Sequence, residues 1–437
     1  MACSTADRFC ILGAGASGLA VAKNFKQAGI AFDCLEREDD IGGNWYFDKP
    51  SSSVYESTHL ISSKRLTEFT DFPLPEDYPE FPNHQLVWDY FRNYARTFGL
   101  YEQIQFNTSV AWLEPCNEGS PAAGWRVTLS DGDERRYRGV VIANGHCWDP
   151  LLPEYPGEFT GMVLHSSEYK TPEVLRGRRV LVVGGGNSGC DLAVEAGIHA
   201  ARAMHSMRRG YHVLPKFFKG QPIDQCGEFL LRWHAPLWLR RAAAALVIRW
   251  VLGPAEASGL PRPDHRLFES HPIINSQLHY HVAHGNLAIR PDIQELCGDR
   301  VRFVDGTEEP VDLIVYATGF HISFPFIDRK HLNWRAGRPD LYLNVFHPER
   351  DDLFCAGLIQ PDSGQWGLVD YQAQLIARYL TALEHNPRAA KWFDRLKKSG
   401  RPHLGRGIRY VDSPRHRLEI EHFSYRRQLQ KLIAKLA

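Results

Sequence analysis

Gly13-Ala14-Gly15-Ala16-Ser17-Gly18 and Gly184-Gly185-Gly186-Asn187-Ser188-Gly189 are two turns of the form Gly-x-Gly-x-x-Gly. Glycines at this spacing permit a tight turn, let backbone N–H groups approach a pyrophosphate at a helix N-terminus, and allow the helix to pack closely on its strand. The two units close differently. Glu36, 23 residues after Gly13, is placed to accept hydrogen bonds from a ribose diol. At the matching place after Gly184 stand Ser206-Met207-Arg208-Arg209, with no acid. Guanidinium groups bind a 2′-phosphate that a carboxylate would repel. The first site therefore reads as one for an adenosine with a free ribose, as in FAD, and the second as one for NADPH. The bland alternative makes Arg208 and Arg209 surface side chains with their heads in water.

Such turns need strands before them and helices after them. Phe9–Leu12 reads as a strand, with a helix to about residue 28 and a second strand over 31–36. Arg179–Val183 is a continuous apolar strand, with a helix to about residue 197 and a short strand ending near Ser206. Two more apolar runs end in a small residue and a glycine: Val140 to Ala143-Asn144-Gly145, and Leu313 to Ala317-Thr318-Gly319. These are expected where the chain crosses between nucleotide domains. The predicted fold is α/β, with two doubly wound, Rossmann-like domains. Residues 1–150 begin the FAD domain, 151–325 form the NADPH domain with a helical excursion near 220–280, and 326–437 return to the FAD domain and end in a basic tail. The active site is expected where the C-terminal ends of both sets of parallel strands meet.

The 437 residues, 43% of them apolar, suffice for two or three domains with large cores. Lys+Arg and Asp+Glu are equal at 51 each, which argues against a nucleic-acid partner. The balance hides two basic stretches: 13 Lys/Arg against four acids over 389–437, and nine against two over 200–252. The tail's last part, Arg426 to Leu436, reads as a helix solvated on one side. Nine scattered cysteines without a Cys-x-x-Cys pair point to reduced thiols and a cytoplasmic location, and to no zinc site. No cysteine lies between Cys34 and Cys116, so the disulfide reductases, which need a redox pair soon after the first nucleotide unit, are set aside. Arg8 and the apolar run to Ala22 superficially resemble a secretory leader, but the run contains the first glycine turn.

Residues 229–252 are apolar yet interrupted by Arg232, His234, Pro236, Arg240, Arg241 and Arg249, so they do not read as a spanning helix. A packed helix with snorkelling arginines is the first reading, and a peripheral membrane or substrate-mouth surface bearing Trp233, Trp238 and Trp250 is the second. His279, His281 and His284 invite a metal reading, but no carboxylate or cysteine joins them, and a histidine-rich strand or loop is preferred. No metal is expected.

Taken together, these motifs make the sequence resemble the flavin-containing monooxygenases, class B flavoproteins related to Baeyer–Villiger monooxygenases. The run Phe159-Thr160-Gly161-Met162-Val163-Leu164-His165-Ser166-Ser167-Glu168-Tyr169 fits that family's Phe-x-Gly-x-x-x-His-x-x-x-Tyr/Phe pattern. Tyr169, where the Baeyer–Villiger group usually has Trp, leans toward the flavin-containing branch. Gly42-Gly43-Asn44-Trp45, Asp71-Phe72-Pro73-Leu74-Pro75, Ala317-Thr318-Gly319 and Gln372-Ala373 also match. The resemblance implies FAD contacts from Gly43, Asn44, Trp45, Val110, Ala143 and Gln372, besides Gly13, Gly15, Ser17, Gly18 and Glu36. It implies NADP contacts from Gly184, Gly186, Asn187, Ser188, Gly189, Asp191, Ser206, Arg208, Arg209 and Ala317 to Gly319, and a domain-coupling role for His165.

One departure bears on the chemistry. The family often has an asparagine about six residues after the equivalent of Tyr55, near the flavin's reactive edge, and here that position is Ile61. Isoleucine neither donates nor accepts a hydrogen bond. His59, Ser62 and Ser63 remain as neighbouring polar groups, and a one-residue slip would place Ser62 at the asparagine position. The resemblance implies that NADPH reduces FAD, that dioxygen adds at flavin C4a, and that the (hydro)peroxide oxygenates sulfur or nitrogen of small lipophilic substrates. Ketone oxygenation, weakly coupled NADPH oxidation, and a non-catalytic sensor binding both cofactors are the competing readings.

Overall fold

The computed structural model describes residues 6–117, 124–233 and 235–437, so Cys3 and His234 lie outside the described residues. Two five-stranded parallel sheets organise them. The first runs, in spatial order, Leu353–Cys355, Gly139–Ile142, Phe9–Leu12, Phe32–Leu35 and Ile104–Gln105. The second runs Leu287–Arg290, Arg202–Ser206, Arg179–Val183, Leu313–Tyr316 and Met162–His165. In each, the strand before a glycine turn is central. It is flanked by the second strand of its unit and by the strand that ends in Ala-x-Gly.

The central strands are apolar throughout because both their faces are covered. Phe9, Cys10, Ile11 and Leu12 are all buried, as are Val180 to Val183. Helix Ala16–Gln27 packs on one face of the first sheet and against the long helix Trp366–His385. A buried ion pair joins the helices: Lys23 Nζ lies 3.0 Å from Asp370 Oδ1, which also accepts from Asn24 Nδ2 at 2.7 Å. Asp370 is fully buried, so removing its lysine partner would leave an uncompensated charge.

The basic tail is woven into the first domain. Helix His422–Leu436 buries Tyr425, Leu429, Leu432 and Leu436 and leaves its other face to solvent. Helix Pro387–Lys398 buries Lys397 completely against Asp351 and the Arg350 carbonyl.

Between residues 220 and 284 the second domain carries helices Ile223–Arg232, Leu237–Val251 and Gln277–Ala283. This excursion departs from expectation in two places. His279 and His281 lie on a helix rather than a strand or loop; His279 Nδ1 is bonded to Ser258 Oγ at 2.9 Å. Among the described residues no group of three ligating side chains could hold a metal. On helix Leu237–Val251 the snorkelling pattern is inverted. Arg240 is buried, 3.8 Å from Glu421 and over the Phe268 ring, and Arg241 pairs with Glu269 at 2.8 Å. Trp238 and Trp250 instead face outward, 69% and 80% exposed. Arg240 turns inward to the buried Glu421 and Arg241 to the part-buried Glu269, while Arg249 stays exposed. Among the described residues no helix is long and apolar enough to cross a membrane.

Candidate active site: two dinucleotide turns and the loop between them

At the first turn, Gly13 has φ +97°, and a methyl group on it would lie 2.9 Å from the Ala143 carbonyl oxygen. Gly18 packs so tightly on the Gly13 carbonyl that any side chain would collide with it. Gly15 caps helix Ala16–Gln27 without a side-chain hydrogen bond, so the first-turn N–H groups face outward for an anion. A cleft of about 430 Å³ opens there, and Gly13, Gly15, Ser17, Glu36, Gly43, Asn44, Trp45, Val110 and Ala143 all line it. Glu36 is buried at its base and accepts from Ala14 N at 2.6 Å and Glu38 N at 3.0 Å. Burial pushes its carboxyl above the usual range, and those two N–H donors partly offset the rise. Asn44 Oδ1 accepts from Ser53 N and Oγ, each at 2.7 Å, and Trp45 meets Trp366 edge to face at 6.0 Å.

Gln372 does not reach the cleft. It stands behind the wall, fully buried, accepting from Gly357 N at 2.9 Å and donating to Tyr425 Oη at 2.7 Å. Gly357, which does line the cleft, is thereby held against Ser17. Among the polar lining residues that sequence reasoning missed are Asn144, His146, Trp148 and Gln365. Among the described residues Asn144 Nδ2 and Trp148 Nε1 are buried donors without a hydrogen-bond partner. Unmet donors beside a glycine turn and a buried carboxylate suit an oxygen-rich dinucleotide such as FAD.

The second turn repeats the first. Gly184 has φ +121° and abuts the Ala317 carbonyl, and Gly189 packs on the Gly184 carbonyl as Gly18 does on Gly13. Gly186 caps helix Asn187–His199, again without a side-chain bond, and Ser188 is exposed in its first turn. Arg208 is exposed with no hydrogen-bond or ion-pair partner among the described residues, whereas Arg209 grips Asp264 through Nε and Nη2 at 2.9–3.0 Å. Free guanidinium and paired guanidinium are thus adjacent in sequence.

Several expected contacts are engaged elsewhere. Ser206 Oγ donates to the Pro291 carbonyl at 2.7 Å. Asn187 donates to the Pro272 carbonyl and accepts from Ile274 N, both at 2.9 Å. Asp191 accepts from Asn275 Nδ2 at 2.7 Å beside Tyr55, and burial pushes its carboxyl up to about 6. Thr318 Oγ1 donates to the Leu151 carbonyl at 2.5 Å.

His165 ends strand Met162–His165 and is buried. Its Nε2 lies 3.0 Å from the Gly319 carbonyl and its Nδ1 2.9 Å from Ser167 Oγ, so both ring nitrogens serve the joint between strand and Ala-Thr-Gly turn. Burial lowers its pKa, favouring the neutral ring. The two domains meet beside it: Tyr55 packs on Tyr169 at 5.6 Å, and Glu56 N donates to the Lys170 carbonyl at 2.9 Å.

Ile61 is 37% exposed on the loop after Tyr55. Ser62 Oγ lies 2.7 Å from Thr67 Oγ1, and Ser63 N donates to Asp224 Oδ2 at 2.7 Å, so the excursion helix Ile223–Arg232 touches this loop. His59 Nδ1 is 2.5 Å from the Ser57 carbonyl. None of His59, Ile61, Ser62 or Ser63 lines the first cleft.

Two glycine turns on two parallel sheets, one followed by a buried carboxylate and the other by an exposed arginine, give the chain two dinucleotide-type sites. The family model described as flavin-binding monooxygenase-like matches residues 6–435, and the chain belongs to that family. It is a flavin-dependent monooxygenase by class. Flavin-containing monooxygenase 5 of Rattus norvegicus is 32% identical over 448 residues, covering 98% of this chain and 82% of that protein. Dimethylaniline monooxygenase [N-oxide-forming] 2 of Macaca mulatta is 33% identical over 404 residues, covering 87% and 75%. Among solved structures, S-allyl-L-cysteine S-oxygenase from Allium sativum superposes with TM-score 0.67 at 21% identity, covering 98% of this chain and 88% of that one. An open form of cyclohexanone monooxygenase gives 0.70 at 18%, covering 98% and 97%. At those identities the structures speak for the fold.

Proposed function

We propose that this chain is an NADPH-dependent monooxygenase that oxygenates sulfur or nitrogen in small lipophilic substrates, with FAD in the first cleft and NADPH on the second turn. The observation that carries the reading is the unlike closure of two like turns: buried Glu36 at one, unpaired Arg208 at the other. FAD, once reduced by NADPH, supplies the dioxygen chemistry. The protein's own tasks are binding, orientation and exclusion of water. Glu36 takes the ribose hydroxyls, Asn144 Nδ2 and Trp148 Nε1 donate to cofactor oxygens, and Gln372 fixes Gly357 behind them. The named activities of the N-oxide-forming and S-oxygenating relatives support the substrate class.

Ketone oxygenation or weakly coupled NADPH oxidation is the second reading. Ile61 favours it, because an aliphatic side chain at that position on the loop after Tyr55 offers no hydrogen bond with which to direct the oxygen chemistry that bound FAD would supply. The test follows NADPH oxidation, oxygen uptake and peroxide release with a sulfide, an amine and a ketone in turn. Oxygenated product from the sulfide or amine supports the proposal. Peroxide formation indifferent to substrate sinks the oxygenase assignment while sparing the cofactors, and flavin reduction without oxygen uptake would leave a sensor.

The reduced thiols support a cytoplasmic location, with peripheral lipid contact through Trp238, Leu246 and Trp250 on a helix that contains no acidic residue. Co-sedimentation with anionic vesicles, lost in the double variant Trp238→Ser/Trp250→Ser, is the expected result.

A further inference from the structure

One segment of the basic tail reaches the second glycine turn. Residues Pro414–His416 form a short 3₁₀ turn anchored by His416, which is 9% exposed. Its Nδ1 lies 2.8 Å from Ser413 Oγ, its Nε2 3.1 Å from Ser270 Oγ, and its ring stacks on Tyr410. That anchoring fixes the neighbouring Arg415. A methyl group on Gly186 would have Arg415 Nη2, Cζ and Nη1 at 3.6, 3.7 and 3.8 Å, so the guanidinium lies across the N-cap of helix Asn187–His199. Its Cζ is 5.5 Å from the centroid of Tyr211, whose ring covers Gly185. Tyr211 and Arg415 together roof the turn.

Among the described residues Arg415 has no hydrogen bond to, or ion pair with, a carboxylate. A guanidinium is thus held at the positive end of a helix whose first-turn N–H groups also lack a side-chain cap. Two positive features brought together in this way repel each other until an anion lies between them. Arg208, at the end of strand Arg202–Ser206, serves the other end of such a ligand.

We propose that Arg415 binds the pyrophosphate of the dinucleotide at the second turn, so that the C-terminal segment completes the NADPH site. This rests on the assignment of NADPH to that turn. Arginine suits the task because its planar fork can give two parallel hydrogen bonds to phosphate oxygens while its face rests on the Tyr211 ring.

The test is equilibrium binding to the FAD-loaded full chain, titrated through protein fluorescence with NADP⁺ and with 2′-AMP, which has a 2′-phosphate but no pyrophosphate. Arg415→Met keeps an apolar stem on Tyr211. It should weaken NADP⁺ by about tenfold or more, the usual worth of a charge-assisted hydrogen bond, and leave 2′-AMP unchanged. Arg415→Lys should recover part of the loss. Arg208→Ala should weaken both ligands. Unchanged NADP⁺ affinity in Arg415→Met, with flavin content and melting temperature like the parent, would overturn the proposal and leave Arg415 a strut on Tyr211. Equal losses for both ligands would overturn the pyrophosphate assignment. The parent's own NADP⁺ titration reports separately on whether the second turn holds that nucleotide.

Discussion

Arg209 and Asp264 form a forked ion pair, with Nε 3.0 Å from both carboxylate oxygens and Nη2 2.9 Å from Oδ1. The pair spends the charge that the sequence offers a 2′-phosphate at position 209. Arg208, one residue earlier, keeps its charge free.

Arg208→Ala should therefore raise the Michaelis constant for NADPH by about ten- to a hundredfold, the range for losing a charge-assisted phosphate contact, and leave that for NADH nearly unchanged. Arg209→Ala should alter both by less than about threefold, since a partly exposed pair contributes little. Steady-state kinetics with the two nucleotides check this. Equal effects of Arg208→Ala on both would remove the arginine from 2′-phosphate reading.

Gly18→Ala drives a methyl group into the Gly13 carbonyl. The turn must open, and the purified protein should carry little or no flavin by absorbance. Full flavin occupancy in that variant would place FAD elsewhere.

Ile61→Asn puts an amide on the partly exposed loop after Tyr55. The ratio of peroxide released to NADPH consumed should fall in the presence of a sulfide or amine. A ratio unchanged from the parent would remove residue 61 from control of the oxygen chemistry.

Asp191 carries a carboxyl whose pKa is raised by burial to about 6, against 3.8 when free. A raised acid favours the folded state below its unfolded pKa, and that contribution is lost as pH rises from about 4 through 6. Asp191→Asn should remove that dependence: relative to the parent it should gain melting temperature on going from pH 4 to pH 7. Parallel melting curves across that interval would show that folding leaves the Asp191 carboxyl's pKa at its free value.

Much of the fold was legible because the information is local. Each nucleotide unit is a strand, a glycine turn and a helix within about thirty residues, so Gly13, Glu36 and Arg208 could be placed by spacing. What could not be read comes from partners distant in sequence. Asp264 takes up Arg209, and Glu269 and Glu421 draw Arg241 and Arg240 inward, which inverted the expected face of helix Leu237–Val251. Trp148 and Gln365 line the first cleft without any motif that announces it. Gln372 shows the limit of resemblance: the position is matched, yet the side chain acts through Gly357 rather than on the cleft.

The close packing of Gly13 on Ala143 and of Gly184 on Ala317 fixes the backbone of each turn from within its own sheet. On the proposed assignment of the two turns, electron entry and oxygen chemistry should therefore be separable by single substitutions. Gly189→Ala, which collides with the Gly184 carbonyl, would silence the nicotinamide port in a protein still yellow with flavin. Such a protein, reduced chemically and then mixed with air, would expose its oxygen half-reaction without a nicotinamide nucleotide.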